Sequence, residues 1–111
     1  MGDPLITPAC WGPGAWSLFH SIAFTFPKEP TEAERDAAIS FFKSLRLLLP
    51  CSKCKREYGA FLENNPVEPH TLSSHALARW TVNAHNHVNL KMGKPEMAMQ
   101  DVVNLYFGIQ K

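Results

Sequence analysis

Several features are missing from this sequence, and each absence narrows the reading. No apolar run approaches the roughly 18 residues that a membrane-spanning helix needs. No segment alternates convincingly between apolar and polar residues as a half-buried strand would. There is no internal repeat and no low-complexity tract. Charge of one sign is missing too: 11 Lys and Arg against 10 Asp and Glu leave a net +1. That balance gives no electrostatic case for nucleic acid or for an anionic membrane. The start, Met1-Gly2-Asp3-Pro4-Leu5-Ile6, lacks the charged region and apolar core of a signal peptide. Ile6 also stands where a myristoylation signal wants Ser or Thr. Cysteine is scarce: three residues are too few for a disulfide scaffold, and the odd number leaves Cys10 over. What is present is 111 residues with 45% hydrophobic and 19% charged, enough for one soluble unit with a real core.

Proline and capping residues divide the chain into helices. An irregular arm is expected over residues 1–10, where Pro4 and Pro8 oppose regular structure, followed by a single domain over 11–111. A first helix is expected from Pro13 to Phe26, with Trp16, Phe19, His20, Ala23 and Phe24 on one broad face. Thr31-Glu32-Ala33-Glu34 reads as a capping box that opens a second helix to about Leu48, with Ala38, Phe41, Phe42, Leu45 and Leu49 as its stripe. Pro50 ends that pattern. A third helix carries Tyr58, Phe61 and Leu62 and fades near Asn64-Asn65-Pro66. Thr71 or Ser73 caps a long fourth helix that Gly93 stops. Pro95-Glu96 starts a fifth with Met99, Val102, Val103, Tyr106 and Phe107 inward. The expected class is all-α.

The third helix begins Cys51-Ser52-Lys53-Cys54-Lys55-Arg56. Cys51 falls at or just before the helix start, and Cys54 falls one turn later on the same face. A helix N-terminus and the cations Lys53, Lys55 and Arg56 are expected to favour thiolate over thiol. Such a pair can cycle between dithiol and disulfide. A second reading competes on spacing: Cys51 and Cys54 with His70 and His75 fit a loose zinc-finger template. A long helix and a Pro-containing loop between them argue against a finger. A thioredoxin-like motif would need a βαβ pattern, which is missing. No metal ligand set is therefore assigned.

Trp16 and His20 are four apart on the first helix, as are His85 and Asn89 on the fourth, so each pair shares a face. Helix bundles build cofactor sites from facing helices in this way. Taken singly, each is more simply read as a half-buried core residue. The run His85-Asn86-His87-Val88-Asn89 is harder to treat so, because buried amides and imidazoles are costly without hydrogen-bond partners. A polar planar ligand would supply them, and Lys91 and Lys94 at the end of the run would meet phosphates.

The chain resembles the Erv/ALR family of FAD-linked sulfhydryl oxidases. The resemblance rests on Trp11-Gly12-Pro13-Gly14-Ala15-Trp16 with His20 and Phe26-Pro27, on Pro50-Cys51-Ser52-Lys53-Cys54, on Trp80, and on His85 through Pro95. It spans about residues 10–107, and its layout looks like the minimal, virus-encoded members. It implies a four-helix bundle with a short fifth helix and FAD at the mouth of the bundle. By that resemblance Cys54 would lie against the isoalloxazine, while Cys51 would exchange with incoming thiols. Gly12, Trp16 and His20 match flavin contacts. His85, Asn86, Val88, Asn89, Lys91 and Lys94 match adenine, ribose and phosphate contacts, and Tyr106 is a weaker match beside the adenine.

The resemblance further implies a thiol oxidase that makes disulfides in a reduced protein dithiol or a thioredoxin-like carrier, uses molecular oxygen and releases hydrogen peroxide. It implies a homodimer formed through the first two helices, with Phe19, Ile22 and Phe26 available for it. The implied location is the mitochondrial intermembrane space for a cellular member, or host cytoplasm or virion for a viral one. Two features depart from the family pattern. A second disulfide found in relatives would fall near Leu62 and at Val82, where apolar packing has to replace it. In place of a shuttle pair there is only Cys10, read as a dimer cross-link or a buried bystander. The competing functions are a zinc-stabilised binding module and an inactive helical dimerisation domain.

Overall fold

A computed structural model of the chain describes residues 7–107, the side chains of residues 106 and 107 excepted. The helices are α1 Pro8–Phe24, α2 Glu32–Leu48, α3 Ser52–Asn64, α4 Ser74–Lys91 and α5 Met99–Phe107, with a short 3-10 helix at Glu68–Leu72. No strand occurs among the described residues. The all-α architecture is as expected, with four long helices and a short fifth.

Local chemistry sets most of the helix ends. The Thr31 hydroxyl accepts from the Glu34 N–H at 3.1 Å, and the Thr31 N–H donates to Glu34 Oε1 at 2.8 Å, completing the capping box of α2. Cys51 caps α3, its sulfur accepting from the Cys54 N–H at 3.1 Å. Ser73, rather than Thr71, caps α4 through the Ala76 N–H at 3.1 Å. Thr71 is instead fully buried in the 3-10 helix and accepts from Arg35 Nε of α2 at 3.1 Å. Gly93, at φ 78°, takes the left-handed conformation that ends α4.

Two helix starts differ from expectation, and α1 ends at Phe24, two residues short of Phe26. α1 begins at Pro8, not Pro13: extended Thr7 precedes it, and a proline at the first helical position loses no hydrogen bond. Pro13 therefore lies inside α1, and the Ala9 carbonyl that its ring leaves unpaired is on an exposed residue, where water can serve it. Residues 8–10 are thus helical rather than part of an arm, whose first six residues lie outside the described ones. α5 begins at Met99, not Pro95, because Asn86 holds the preceding segment out of the helix. Its side-chain oxygen accepts from the Met97 N–H and its amide donates to the Met97 carbonyl, both at 2.7 Å.

α4 is the hub and packs against α1, α3, α5 and the 3-10 helix. The core centres on Trp80 of α4, ringed edge-on by Phe42 at 5.3 Å, Phe61 at 5.5 Å and Tyr58 at 6.4 Å between centroids. The indole N–H donates to the Asn65 carbonyl at 2.9 Å, and the Tyr58 hydroxyl to the Phe42 carbonyl, so neither polar atom is stranded. Leu62 and Val82 are both buried, which satisfies the expectation of apolar packing at those two positions.

Candidate functional site

One end of the bundle holds an apolar cleft of about 400 Å³. The start of α1 gives it Trp11, Gly12 and Trp16; α3 gives Cys54 and Tyr58; α4 gives His85, Val88 and Asn89. The irregular segment after α4 closes a further side with Met92, Lys94, Pro95 and Met97. That segment keeps its place through backbone bonds. The Lys94 N–H donates to the Asn89 carbonyl at 2.7 Å, and Asn86 grips Met97 as described above.

The run His85 to Asn89 splits by helical periodicity, since successive residues are turned about 100° apart. His85, Val88 and Asn89 face the cleft. His87 faces α3 instead, its ring 5.6 Å from that of Phe61 and its Nε2 3.4 Å from Glu57 Oε1. Behind the cleft lies a buried polar pair: His20 Nε2 and His85 Nδ1 are 2.9 Å apart, and His20 Nδ1 is 3.2 Å from Thr81 Oγ1. The Trp16 ring lies parallel to that of His85, 4.1 Å away between centroids. The Trp11 indole N–H, on a residue lining the cleft, is buried with no hydrogen-bond partner among the described residues.

The cysteines divide by exposure. Cys54 is 5% exposed and lines the cleft, whereas Cys51 is half-buried one turn earlier at the cap of α3. None of the three described cysteines is bonded to another.

Comparison with known proteins fits this geometry. The Erv1/Alr family model matches residues 13–107. The chain is 34% identical to a probable FAD-linked sulfhydryl oxidase of Acanthamoeba polyphaga mimivirus, over 88% of this chain and 69% of that one. It is 38% identical to a putative FAD-linked sulfhydryl oxidase of Invertebrate iridescent virus 6, over 81% of this chain and 86% of that one. The crystal structure of the yeast Erv1 core superposes with a TM-score of 0.82 at 28% identity, covering 95% of this chain and 86% of that chain. The chain belongs to the Erv1/Alr family.

Within this Erv1/Alr chain, burial decides the charge states. Burial, and then the adjacent Cys51 sulfur, push the Cys54 thiol up to about 12, and Lys53 offsets this only weakly. The expectation that the local cations favour thiolate is thus reversed for Cys54 in the reduced pair: Lys53, Lys55 and Arg56 are exposed, and water screens them. Burial, and then His85, bring His20 down to about 3; burial, and then Lys94, bring His85 down to about 4. Both imidazoles are neutral at pH 7.

Seven of the residues singled out from the Erv1/Alr resemblance line the cleft: Gly12, Trp16, Cys54, His85, Val88, Asn89 and Lys94. Cys51, His20 and Asn86 sit behind or beside it. Lys91 is exposed on the last turn of α4 and does not line it, and the Tyr106 side chain lies outside the described residues. Cys10 is exposed, so it is not a buried bystander. Phe19 is 7% exposed in the core and unavailable for a dimer. Cys51, Cys54, His70 and His75 do not form a metal site: no group of three or more His, Cys, Asp or Glu among the described residues could hold an ion. Sequence reasoning missed Trp11, Tyr58, Met97 and Thr81. Of these only Trp11 carried a signal, as part of the same aromatic and glycine run as Trp16.

Proposed function

We propose that this chain is an FAD-linked thiol oxidase in which the Cys51–Cys54 pair takes two electrons from a protein dithiol. The carrying observation is the arrangement of the pair. One sulfur is buried in the wall of an aromatic-lined cleft, and its partner is accessible one helical turn away. The cleft suits FAD by its chemistry. The stacked Trp16 and His85 rings offer planar faces, the Trp11 N–H is an unused donor, and Lys94 brings a cation to the rim. Trp11, Trp16, Cys54, His85, Asn89 and Lys94 would hold it.

The chain's own residues perform the thiol exchange. A substrate thiolate attacks the Cys51 sulfur of the Cys51–Cys54 disulfide; that bond breaks, a mixed disulfide forms, and Cys54 leaves. The second substrate thiolate attacks the substrate sulfur of the mixed disulfide and releases Cys51. The substrate has then lost two electrons and two protons and carries a disulfide, and the pair is a dithiol. In the mixed disulfide Cys51 carries no thiol, so the upward push that its sulfur gives Cys54 in the reduced pair applies less there. FAD held in the cleft would supply the two-electron chemistry that links the dithiol to molecular oxygen, and the sum would be 2 R–SH + O2 → R–S–S–R + H2O2. The dithiol is carried by a reduced protein or a thioredoxin-like carrier.

The same reading includes a homodimer. α1 and α2 leave an apolar groove between them, lined by Ile22, Phe26, Ala38 and Phe41, that a second copy would cover. The purified protein is expected to be yellow and to consume oxygen with dithiothreitol. A colourless, zinc-containing protein would overturn the assignment, as would native turnover by Cys54→Ser.

A further inference from the structure

The two buried histidines and Thr81 form a chain of hydrogen bonds with a direction. Thr81 Oγ1 lies 2.8 Å from the Ala78 carbonyl and 3.2 Å from His20 Nδ1. A hydroxyl has one proton. The Ala78 carbonyl can only accept, the contact to it is shorter, and a helical threonine habitually donates to the preceding turn. The proton of Thr81 therefore goes to Ala78, and the hydroxyl faces His20 as an acceptor. His20 must then carry its proton on Nδ1. His20 is a neutral imidazole, because burial and the facing His85 hold it far below its ordinary value. Its Nε2 is consequently a bare lone pair. His85 Nδ1, 2.9 Å away, has to be the donor in that contact. His85 is neutral as well, so its Nε2 is also bare, and His85 is the member of the chain that lines the cleft.

We propose that Thr81, buried four residues before His85, the nearest cleft-lining residue of α4, fixes the tautomer of both histidines. His85 Nε2 thereby meets the cleft as a hydrogen-bond acceptor, and the bound molecule must place a donor there. Thr81 is a positioning residue: it touches neither the cleft nor the redox sulfurs, and acts through His20 and His85. The proposal rests on the cleft being the cofactor site. Reversing the chain would turn His85 Nε2 into a donor and set two donors against each other wherever the ligand offers N–H or O–H. Leaving such groups unpaired in a buried site weakens binding by roughly tenfold or more.

The test uses the flavin-loaded protein labelled with nitrogen-15 in its histidines. Two-bond proton–nitrogen correlation reports which ring nitrogen carries the proton. The expected result is Nδ1–H for both His20 and His85; Nε2–H on His85 would overturn the proposal. In Thr81→Val the acceptor is gone, so both rings are expected to flip to Nε2–H and flavin dissociation to rise roughly tenfold or more. Thr81→Ser should restore both readouts. Wild-type tautomers in Thr81→Val would likewise overturn the proposal. If Thr81→Val does not fold, the wild-type spectrum decides alone. Absence of flavin from the wild type would sink the cofactor reading, and the tautomer measurement would still be made on the flavin-free protein.

Discussion

The rings of Trp16 and His85 lie 4° from parallel with their centroids 4.1 Å apart, joining α1 to α4 at the wall of the cleft. This stack sets two flat surfaces in a fixed order before any ligand arrives. Replacing Trp16 by Leu keeps a comparable apolar contact with the neighbouring Phe19 but removes the planar face. Flavin content on purification is expected to fall several-fold while far-ultraviolet circular dichroism is retained. Full flavin content in Trp16→Leu would show that the stack contributes nothing to binding.

Both cysteines of the pair should be needed for turnover. Cys51→Ser loses the half-buried sulfur at the cap of α3, the proposed point of thiol exchange, and Cys54→Ser loses the one in the cleft wall. Oxygen uptake with dithiothreitol should drop by roughly a hundredfold or more in both. Both variants should stay yellow. Cys51→Ser is also expected to retain a capped α3, since a serine oxygen accepts from the same Cys54 N–H.

Acid should destabilise the fold through the buried imidazoles. His20 and His85 are held near 3 and 4, whereas in an unfolded chain they protonate near 6.5. The unfolded chain therefore binds more protons between those limits. The contribution is fully present above pH 6.5 and is lost as pH falls toward 4 and then 3, on the order of several kcal/mol for the two together. Urea midpoints at pH 7 and pH 4.5 measure it. His20→Gln should flatten the dependence, and equal midpoints for the native protein at the two pH values would contradict it.

The capping box of α2 lies far from the cleft and should affect stability alone. Thr31→Ala removes the acceptor for the Glu34 N–H and is expected to cost about 1 kcal/mol in urea unfolding. The rate with dithiothreitol should not change. A loss of rate at full flavin occupancy would mean that α2 communicates with the cleft.

Asn86 should behave as a tether. Asn86→Ala frees both polar groups of Met97, so amide exchange at residues 94–98 should quicken and flavin should dissociate faster. If flavin dissociation quickened with no change in exchange, Asn86 would be a direct ligand.

Helices whose ends are set by neighbouring residues could be read from the sequence. Thr31 with Glu34, Ser73 and Gly93 each act over three or four residues, and the structure places all of them as caps or stops. What depended on distant contacts was hidden. α5 starts late because a side chain eleven residues away holds Met97 in place. Of the site, Cys54, Trp16, His85 and Asn89 could be read from spacing and resemblance. Thr81 could not, since a threonine inside a helix has no local signature. The charge state of Cys54 was misjudged for a related reason: Lys53, Lys55 and Arg56 are visible in the sequence, and the burial that outweighs them is not.

Because α4 supplies both the centre of the bundle and a wall of the cleft, whatever fills the cleft also braces the framework. Ligand bound only by the folded chain raises its stability in proportion to the logarithm of ligand concentration. The amount of intact oxidase that a cell maintains should then follow its vitamin B2 supply, with starvation thinning the enzyme itself as well as its output.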